Sequence, residues 1–257
     1  MDDTEVDAYL ARIGAARPER AGSDGLRDLS LRHLTTVPFE NLSIHLGEDI
    51  VLEEKALLDK VVHRRRGGFC YELNGLFGAL LSALGYRVTL MSARVFNGTE
   101  AGPPFDHLAL RVETPAPWLV DVGFGDHSHF PLRLGTSTEQ DDPAGTFTIL
   151  ETADGDLDVL KDGEPQYRLE QRPRELADFV PACWWQRTSP DSHFTRGPIC
   201  SRLTEDGRIS IGGRTLIRTV DRQRYETALE SDTELLAAYR THFGITLDRV
   251  RGAAATE

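Results

Sequence analysis

The chain has 257 residues, 40% of them hydrophobic, with 29 basic and 41 acidic side chains and a net charge of −12. That is an ordinary globular balance, long enough for one large domain or two to three small ones sharing a core. Its acidity excludes a general nucleic-acid binder, and no apolar run approaches the roughly 20 residues of a membrane span. Three cysteines, Cys70, Cys183 and Cys200, do not make a disulfide framework. The acidic opening Met1-Asp2-Asp3-Thr4-Glu5 has no signal-peptide pattern, so a cytoplasmic protein is expected.

Up to Gly85 the apolar residues recur at helical spacing. Val6, Tyr9, Leu10 and Ile13 mark a first helix, and Leu26, Leu29 and Leu34 a second, entered from Asp24. Pro38 interrupts helix in Val37-Pro38-Phe39-Glu40-Asn41-Leu42. Leu57, Leu58, Val61 and Val62 mark a third helix. The fourth follows Arg66-Gly67-Gly68-Phe69-Cys70-Tyr71-Glu72-Leu73-Asn74, with Leu73, Leu76, Phe77, Leu80, Leu81 and Leu84 in register and Gly85 as its stop. Cys70 is therefore expected in the first turn of a half-buried helix. Unpaired N–H groups and the positive end of the helix dipole favour the reactive thiolate there. Gly67 and Gly68 are expected to let backbone and a substrate come close to the sulfur.

After Gly85 the pattern alternates. Arg87–Phe96, His107–Glu113, Trp118–Val122, Thr146–Glu151, Leu157–Lys161 and Tyr167–Gln171 read as short strands between turns, a barrel or sandwich. Polar Gly135–Gly145 reads as a loop. Ile199–Leu203, Arg208–Ile211 and Thr215–Arg218 read as hairpin strands with Gly212-Gly213 as a turn. Ser231-Asp232-Thr233-Glu234 reads as a capping box before a helix carrying Leu235, Leu236, Tyr239 and Phe243. The tail Gly252–Glu257 is expected to fray.

A nucleophilic cysteine needs a base, and the base an orienting group. His107 opens an alternating strand on the face opposite Leu108, Leu110 and Val112. Asp121 sits in the apolar run Trp118-Leu119-Val120-Asp121-Val122, where a carboxylate is costly unless paired. If the two strands form a hairpin, Asp121 reaches His107, and Cys70, His107 and Asp121 make a thiolate–imidazolium–carboxylate set. Glu40 and Arg66 lie inside apolar motifs and are expected to form a buried ion pair bracing the cysteine loop. Asn74, one helical turn past Cys70, is placed to hydrogen-bond near the triad. Phe39, Val95 and Phe124 lie near these segments, although core packing is the commoner fate of such residues. Gly123-Phe124-Gly125 is no dinucleotide fingerprint, since the third glycine and the following helix are missing. Arg64 and Arg65 read as a solvated face rather than a phosphate patch. Asp126-His127-Ser128-His129 lacks a fixed third ligand, so no metal is expected. Cys183 beside Trp184-Trp185 reads as core.

These motifs, with His107-Leu108-Ala109-Leu110, Asp121-Val122-Gly123-Phe124-Gly125, Ser189-Pro190-Asp191-Ser192-His193-Phe194 and the opening Tyr9-Leu10-Ala11-Arg12-Ile13-Gly14, strongly resemble the arylamine N-acetyltransferases in order and interval from about Tyr9 to Phe243. The resemblance implies an α+β fold: a helical bundle over 1–86 carrying Cys70, a β-barrel over 87–188 carrying His107 and Asp121, and an α/β lid over 189–257, around a cysteine-protease-like core. It implies acetyl-coenzyme A as co-substrate. The mechanism implied is ping-pong: Cys70 takes the acetyl group as a thioester and passes it to an arylamine, arylhydrazine or N-hydroxyarylamine, His107 shuttling the proton and Asp121 holding His107. Val95 and Phe124, and Phe39 with them, become the acceptor-pocket wall. Gly123, Phe124 and Gly125 become a surface for the donor's pantetheine or phosphates. Small-molecule partners are implied, with neither nucleic acid nor membrane. Two enzyme alternatives share the nucleophile logic: an amide synthase of natural-product pathways and a papain- or transglutaminase-like enzyme. A binding module with a vestigial site is disfavoured by the intact triad. Acceptor identity, acyl length and oligomeric state are not encoded legibly.

Overall fold

The computed structural model describes residues 1–221 and 223–250; the tail Gly252–Glu257 lies outside them. Helix α1 (Asp3–Ile13) starts in a capping box between Asp2 and Glu5 and ends at Gly14, whose φ of 65° suits a residue without a side chain. Helix α2 (Ser23–Thr36) packs Leu26 and Leu29 inward. Where Pro38 breaks the helical pattern, the chain makes a two-residue strand β1 (Phe39–Glu40) and a short helix α3 (Leu42–Leu46). The expected third helix is α4 (Glu54–Leu58), continued as a π-helical turn over Asp59–His63. That turn leaves Lys60 buried, where its Nζ donates to Glu72 Oε1 at 2.6 Å.

Helix α5 (Cys70–Ala83) was expected to be half-buried, yet eleven of its residues are buried. The reason is that it has partners on several sides: α1, α4 and the strands that follow it all contact it. Gly85, at φ 87°, ends it as expected.

Strands β2 (Arg87–Asn97), β3 (Glu100–Ala101), β4 (His107–Thr114), β5 (Ala116–Val120), β6 (Leu132–Arg133), β7 (Gln140–Asp142), β8 (Gly145–Glu151), β9 (Leu157–Lys161) and β10 (Glu164–Arg174) form one sheet in the order β6-β5-β4-β2-β10-β9-β8-β7, with β3 on β2. The stretch 135–145, whose polarity predicts a loop, contains β7. Its Gln140 side chain accepts from Arg133 N at 2.6 Å and donates to Arg133 O at 3.0 Å. The two end strands thus meet through one side chain, and the sheet is a nearly closed barrel. Alternation on β4 sends Leu108, Leu110 and Val112 into the core shared with α5, and Ala109 into the barrel core with Met91, Phe147, Val159 and Tyr167.

Helix α6 (Val180–Thr188) follows. Cys183 is buried there, but Trp184 is 61% exposed and Trp185 39%, so only the cysteine of that trio is core. A five-stranded sheet has the order β1-β11-β12-β13-β14, with β11 (Ile199–Thr204), β12 (Gly207–Gly212), β13 (Thr215–Val220) and β14 (Gln223–Ala228). Helix α7 (Asp232–Phe243) lays Leu235, Tyr239 and Phe243 on it. Only half of the expected capping box forms: Ser231 Oγ accepts from Glu234 N, while Glu234 accepts from the N–H of Glu230. β1 comes from the N-terminal region yet pairs Phe39 with Ser201 and Glu40 with Cys200. Asn41 secures the junction, accepting from Ile199 N at 2.7 Å and donating to Phe194 O at 2.8 Å. Among the described residues no helix is long and apolar enough to cross a membrane.

Candidate active site

Cys70 is the first residue of α5, after a loop fixed by buried charge. Arg66 donates from Nε to Glu40 Oε1 at 2.9 Å and from Nη2 to Glu40 Oε2 at 3.2 Å, and both residues are buried. Glu40 also accepts from Leu42 N at 2.7 Å and Gly67 N at 3.3 Å. The expected pair is therefore present, and Lys60–Glu72 is a second that sequence reasoning missed. The two glycines do a different job from the one expected. A Cβ on Gly67 would lie 1.9 Å from Pro38 O, and one on Gly68 2.6 Å from Glu72 Oε2. They allow the loop to pack against β1 and α5, and neither lines the cavity described below.

The β4–β5 hairpin pairs Leu110 with Val120. Continuing that register sets Asp121 opposite Ala109, with His107 its diagonal neighbour on the same face. His107 Nε2 lies 2.7 Å from Asp121 Oδ2, both side chains buried. Asp121 Oδ1 accepts from Asn74 Nδ2 at 2.8 Å and Gly123 N at 3.0 Å. Asn74 also donates to Leu108 O at 2.6 Å and accepts from Val122 N at 2.9 Å, stitching α5 to both strands. Gly123 is obligatory: a Cβ there would sit 2.8 Å from Asn74 Nδ2 and from Cys70 Cα.

Burial disfavours a charged His107, but the Asp121 carboxylate and then the Cys70 side chain outweigh it, raising its pKa to about 10. Burial likewise opposes ionised Asp121, but His107 and Asn74 hold it down to about 2. With Nε2 on Asp121, Nδ1 is the ring nitrogen left to meet the thiol. The other cysteines are differently placed. Burial pushes Cys183 up to about 12 and Cys200 well above the ordinary thiol value.

Cys70 and His107 line a cavity of about 810 Å³. Phe39, Val95, Gly123, Phe124 and Gly125 line it too, as do Ser192, His193, Phe194, Ser201, Arg208 and Ser210. Arg64 faces elsewhere, paired with Asp59 at 3.2 Å. The cationic side chains at this cavity are instead Arg196 and Arg208, the latter donating to Ser201 Oγ at 3.2 Å.

An N-acetyltransferase family model matches residues 24–251. The chain belongs to the arylamine N-acetyltransferase family. It is 32% identical to the arylamine N-acetyltransferase of Mycolicibacterium smegmatis over 259 residues, 96% of this chain and 94% of that one. With the Mycobacterium tuberculosis H37Rv enzyme it is 36% identical over 223 residues, 82% of this chain and 79% of that one. The Salmonella typhimurium arylamine N-acetyltransferase structure superposes with a TM-score of 0.89 at 27% identity, covering 99% and 96% of the two chains. A Mycobacterium marinum arylamine N-acetyltransferase in complex with CoA superposes with a TM-score of 0.85 at 32% identity, covering 93% and 92%. The chain is thus an acyltransferase that moves acetyl groups.

Several residues packed around this candidate site carry little signal in the sequence. Tyr167, fully buried, packs its ring 5.2 Å from that of His107. It was read only as the start of a strand, with nothing to say which face it took. His127 was weighed as a metal ligand; it is buried beneath Phe124 and Tyr167, its Nε2 3.3 Å from the tyrosine hydroxyl. Phe194 stacks edge-on to Phe69 at 5.3 Å. The serine-proline motif was its one available signal.

Proposed function

We propose that acetyl-coenzyme A is the donor and that the acetyl group passes through a thioester on Cys70 to an arylamine, arylhydrazine or N-hydroxyarylamine. The observation that carries this reading is that Cys70 and His107 share one cavity wall, with His107 bonded at 2.7 Å to a buried Asp121. Before the first half-reaction the Cys70 proton already rests on His107, and Asp121 stabilises that imidazolium beside the thiolate. The thiolate adds to the acetyl carbonyl, and the carbon–sulfur bond to coenzyme A breaks. The imidazolium returns its proton to the departing sulfur, so coenzyme A leaves as a thiol. In the second half-reaction a neutral amine attacks the Cys70 thioester, His107 accepts the amine proton, and Cys70 is released. A thioester conserves the donor's reactivity where a serine ester would lose it, and a weakly basic aromatic amine is a neutral nucleophile at neutral pH.

The aromatic wall of Phe39, Phe124 and Phe194 suits a flat acceptor, with Val95 beside it. Gly123, Phe124 and Gly125 offer backbone to the donor. In this reading segment 1–86 supplies the nucleophile, 87–188 the base and its carboxylate, and 189–257 the cover. The test is intact mass after brief exposure to acetyl-coenzyme A without acceptor. One acetyl adduct, absent from Cys70→Ala and discharged by an aniline or a hydrazide, is expected. No adduct, with no coenzyme A released when acceptor is added, overturns the reading in favour of an amide synthase or a hydrolase.

A further inference from the structure

Asp106 stands just before β4, half-buried, on the wall of the cavity that holds Cys70 and His107. The acetyl-transfer steps above give it no part. The side chain that holds it is neutral: Gln186 Nε2 donates to Asp106 Oδ1 at 2.7 Å. The cations of the cavity are engaged elsewhere. His107 is on Asp121 at 2.7 Å, and Arg208 lies 3.2 Å from Ser201 Oγ and 3.7 Å from Asp126. Arg196 is exposed. Among the described residues none of the three forms an ion pair with Asp106.

Gln186 is itself fixed. It is 2% exposed on α6, and its Oε1 accepts from the Ser192 hydroxyl at 2.6 Å. Ser192 Oγ in turn accepts from Phe194 N at 3.2 Å. A carboxylate only accepts, so the direction of this chain is set: the amide turns its NH2 to Asp106 and its oxygen to Ser192. The other carboxylate oxygen lies over Gly102. A Cβ there would sit 3.0 Å from Asp106 Oδ2 and 2.8 Å from Val95 O, so Asp106 neighbours Val95 in the wall assigned above to the acceptor. Burial raises the Asp106 pKa above the ordinary carboxylate value, although His107, His193, the Val95 N–H and Gln186 favour its charge. A carboxylate half out of water with a neutral donor gains from a cation brought to it and repels an anion. Trp185, the residue before Gln186, also lines the cavity and offers a cation a ring face.

We propose that Asp106, held by Gln186, is a specificity residue of the acceptor pocket that selects aromatic amines and hydrazines whose ring carries a second, positively charged hydrogen-bond donor, and disfavours those carrying a carboxylate. The inference rests on the Cys70 thioester reading above and names its acceptor class. The guanidiniums of Arg196 and Arg208 are left for the donor's phosphates.

The test uses 4-aminobenzamidine, 4-aminobenzamide and 4-aminobenzoate, which share a shape and carry a positive, a zero and a negative charge. Each discharges preformed acetyl-Cys70 of the full-length parent, Asp106→Asn, Asp106→Ser and Gln186→Leu, at acceptor concentrations below saturation. Ring electronics are the same for every protein, and the ratio of two rates on one preparation cancels any general loss of activity. The amidine-to-benzoate ratio is expected to fall about 30-fold in Asp106→Asn and in Asp106→Ser, the amide rate moving least. In Gln186→Leu, where the charge remains but is no longer held, the ratio is expected to fall about 3-fold. The same ratio in the parent and both Asp106 variants overturns the proposal. A ratio that falls in those variants but not in Gln186→Leu removes Gln186 from it. Absence of any acetyl adduct on the parent overturns the thioester reading instead. Calorimetric affinities of the same three compounds for the parent and Asp106→Asn then decide the charge preference, the same swing in ratio being expected.

Discussion

Two residue-scale contrasts carry consequences that can be measured. Cys70 opens onto the cavity, whereas Cys183 and Cys200 are buried with their thiols pushed up by that burial, Cys183 to about 12. Since the thiolate is the nucleophile, iodoacetamide is expected to alkylate Cys70 well before the other two. Peptide mapping over a time course checks this, and equal rates at all three would remove the distinction. The second contrast is between His107 and Asp121. A histidine raised from 6.5 to about 10 stabilises the fold fully below pH 6.5, and its contribution is lost as pH rises through about 10. An aspartate lowered from 3.8 to about 2 contributes fully above 3.8, and is lost as pH falls through about 2. The stability advantage of the parent over Asp121→Asn is therefore expected to be greatest between those limits and to shrink into the alkaline range. Thermal unfolding of both proteins across pH tests it; a gap unchanged from about pH 5 to about pH 9 would count against the ion pair.

At the scale of elements, the Cys70 loop is braced rather than merely connected. Glu40 on β1 binds the guanidinium of Arg66 and the backbone of Leu42 and Gly67, so one carboxylate joins the strand, α3 and the glycine loop. Glu40→Gln leaves a buried guanidinium without its charge partner. It is expected to lower unfolding stability by about 3–5 kcal/mol, measured by urea denaturation, and a loss under about 1 kcal/mol would show that Glu48 suffices for Arg66. The sequence made this pair legible because two charges stood inside apolar motifs. It did not make Lys60–Glu72 legible, because the π-helical turn that buries Lys60 leaves no mark on the apolar spacing. β14 was equally hidden: Gln223–Ala228 is exposed along its whole length, so no alternation betrays the strand.

Over the whole molecule, the parts legible in the sequence are those where chemistry breaks a pattern. A cysteine at a helix start, a carboxylate ending an apolar strand and an amide one turn past the cysteine all stood out. They meet as Cys70 and His107 on the cavity with Asp121 and Asn74 buried behind them, because two regular periodicities, helical and alternating, bring them together. The part of the cavity lined by β11 and β12 was not legible, since it depends on β1 leaving the N-terminal region to pair with β11 across a long stretch of chain. That pairing also sets an order in time. During synthesis Phe39 and Glu40 emerge early and must wait for Ser201 and Cys200 before their edge is satisfied. Cys70, His107 and Asp121 can assemble while this edge is still open. The chamber around them closes only when β11 and β12 arrive, so the thiol's confinement comes well after its chemistry in the growth of the chain.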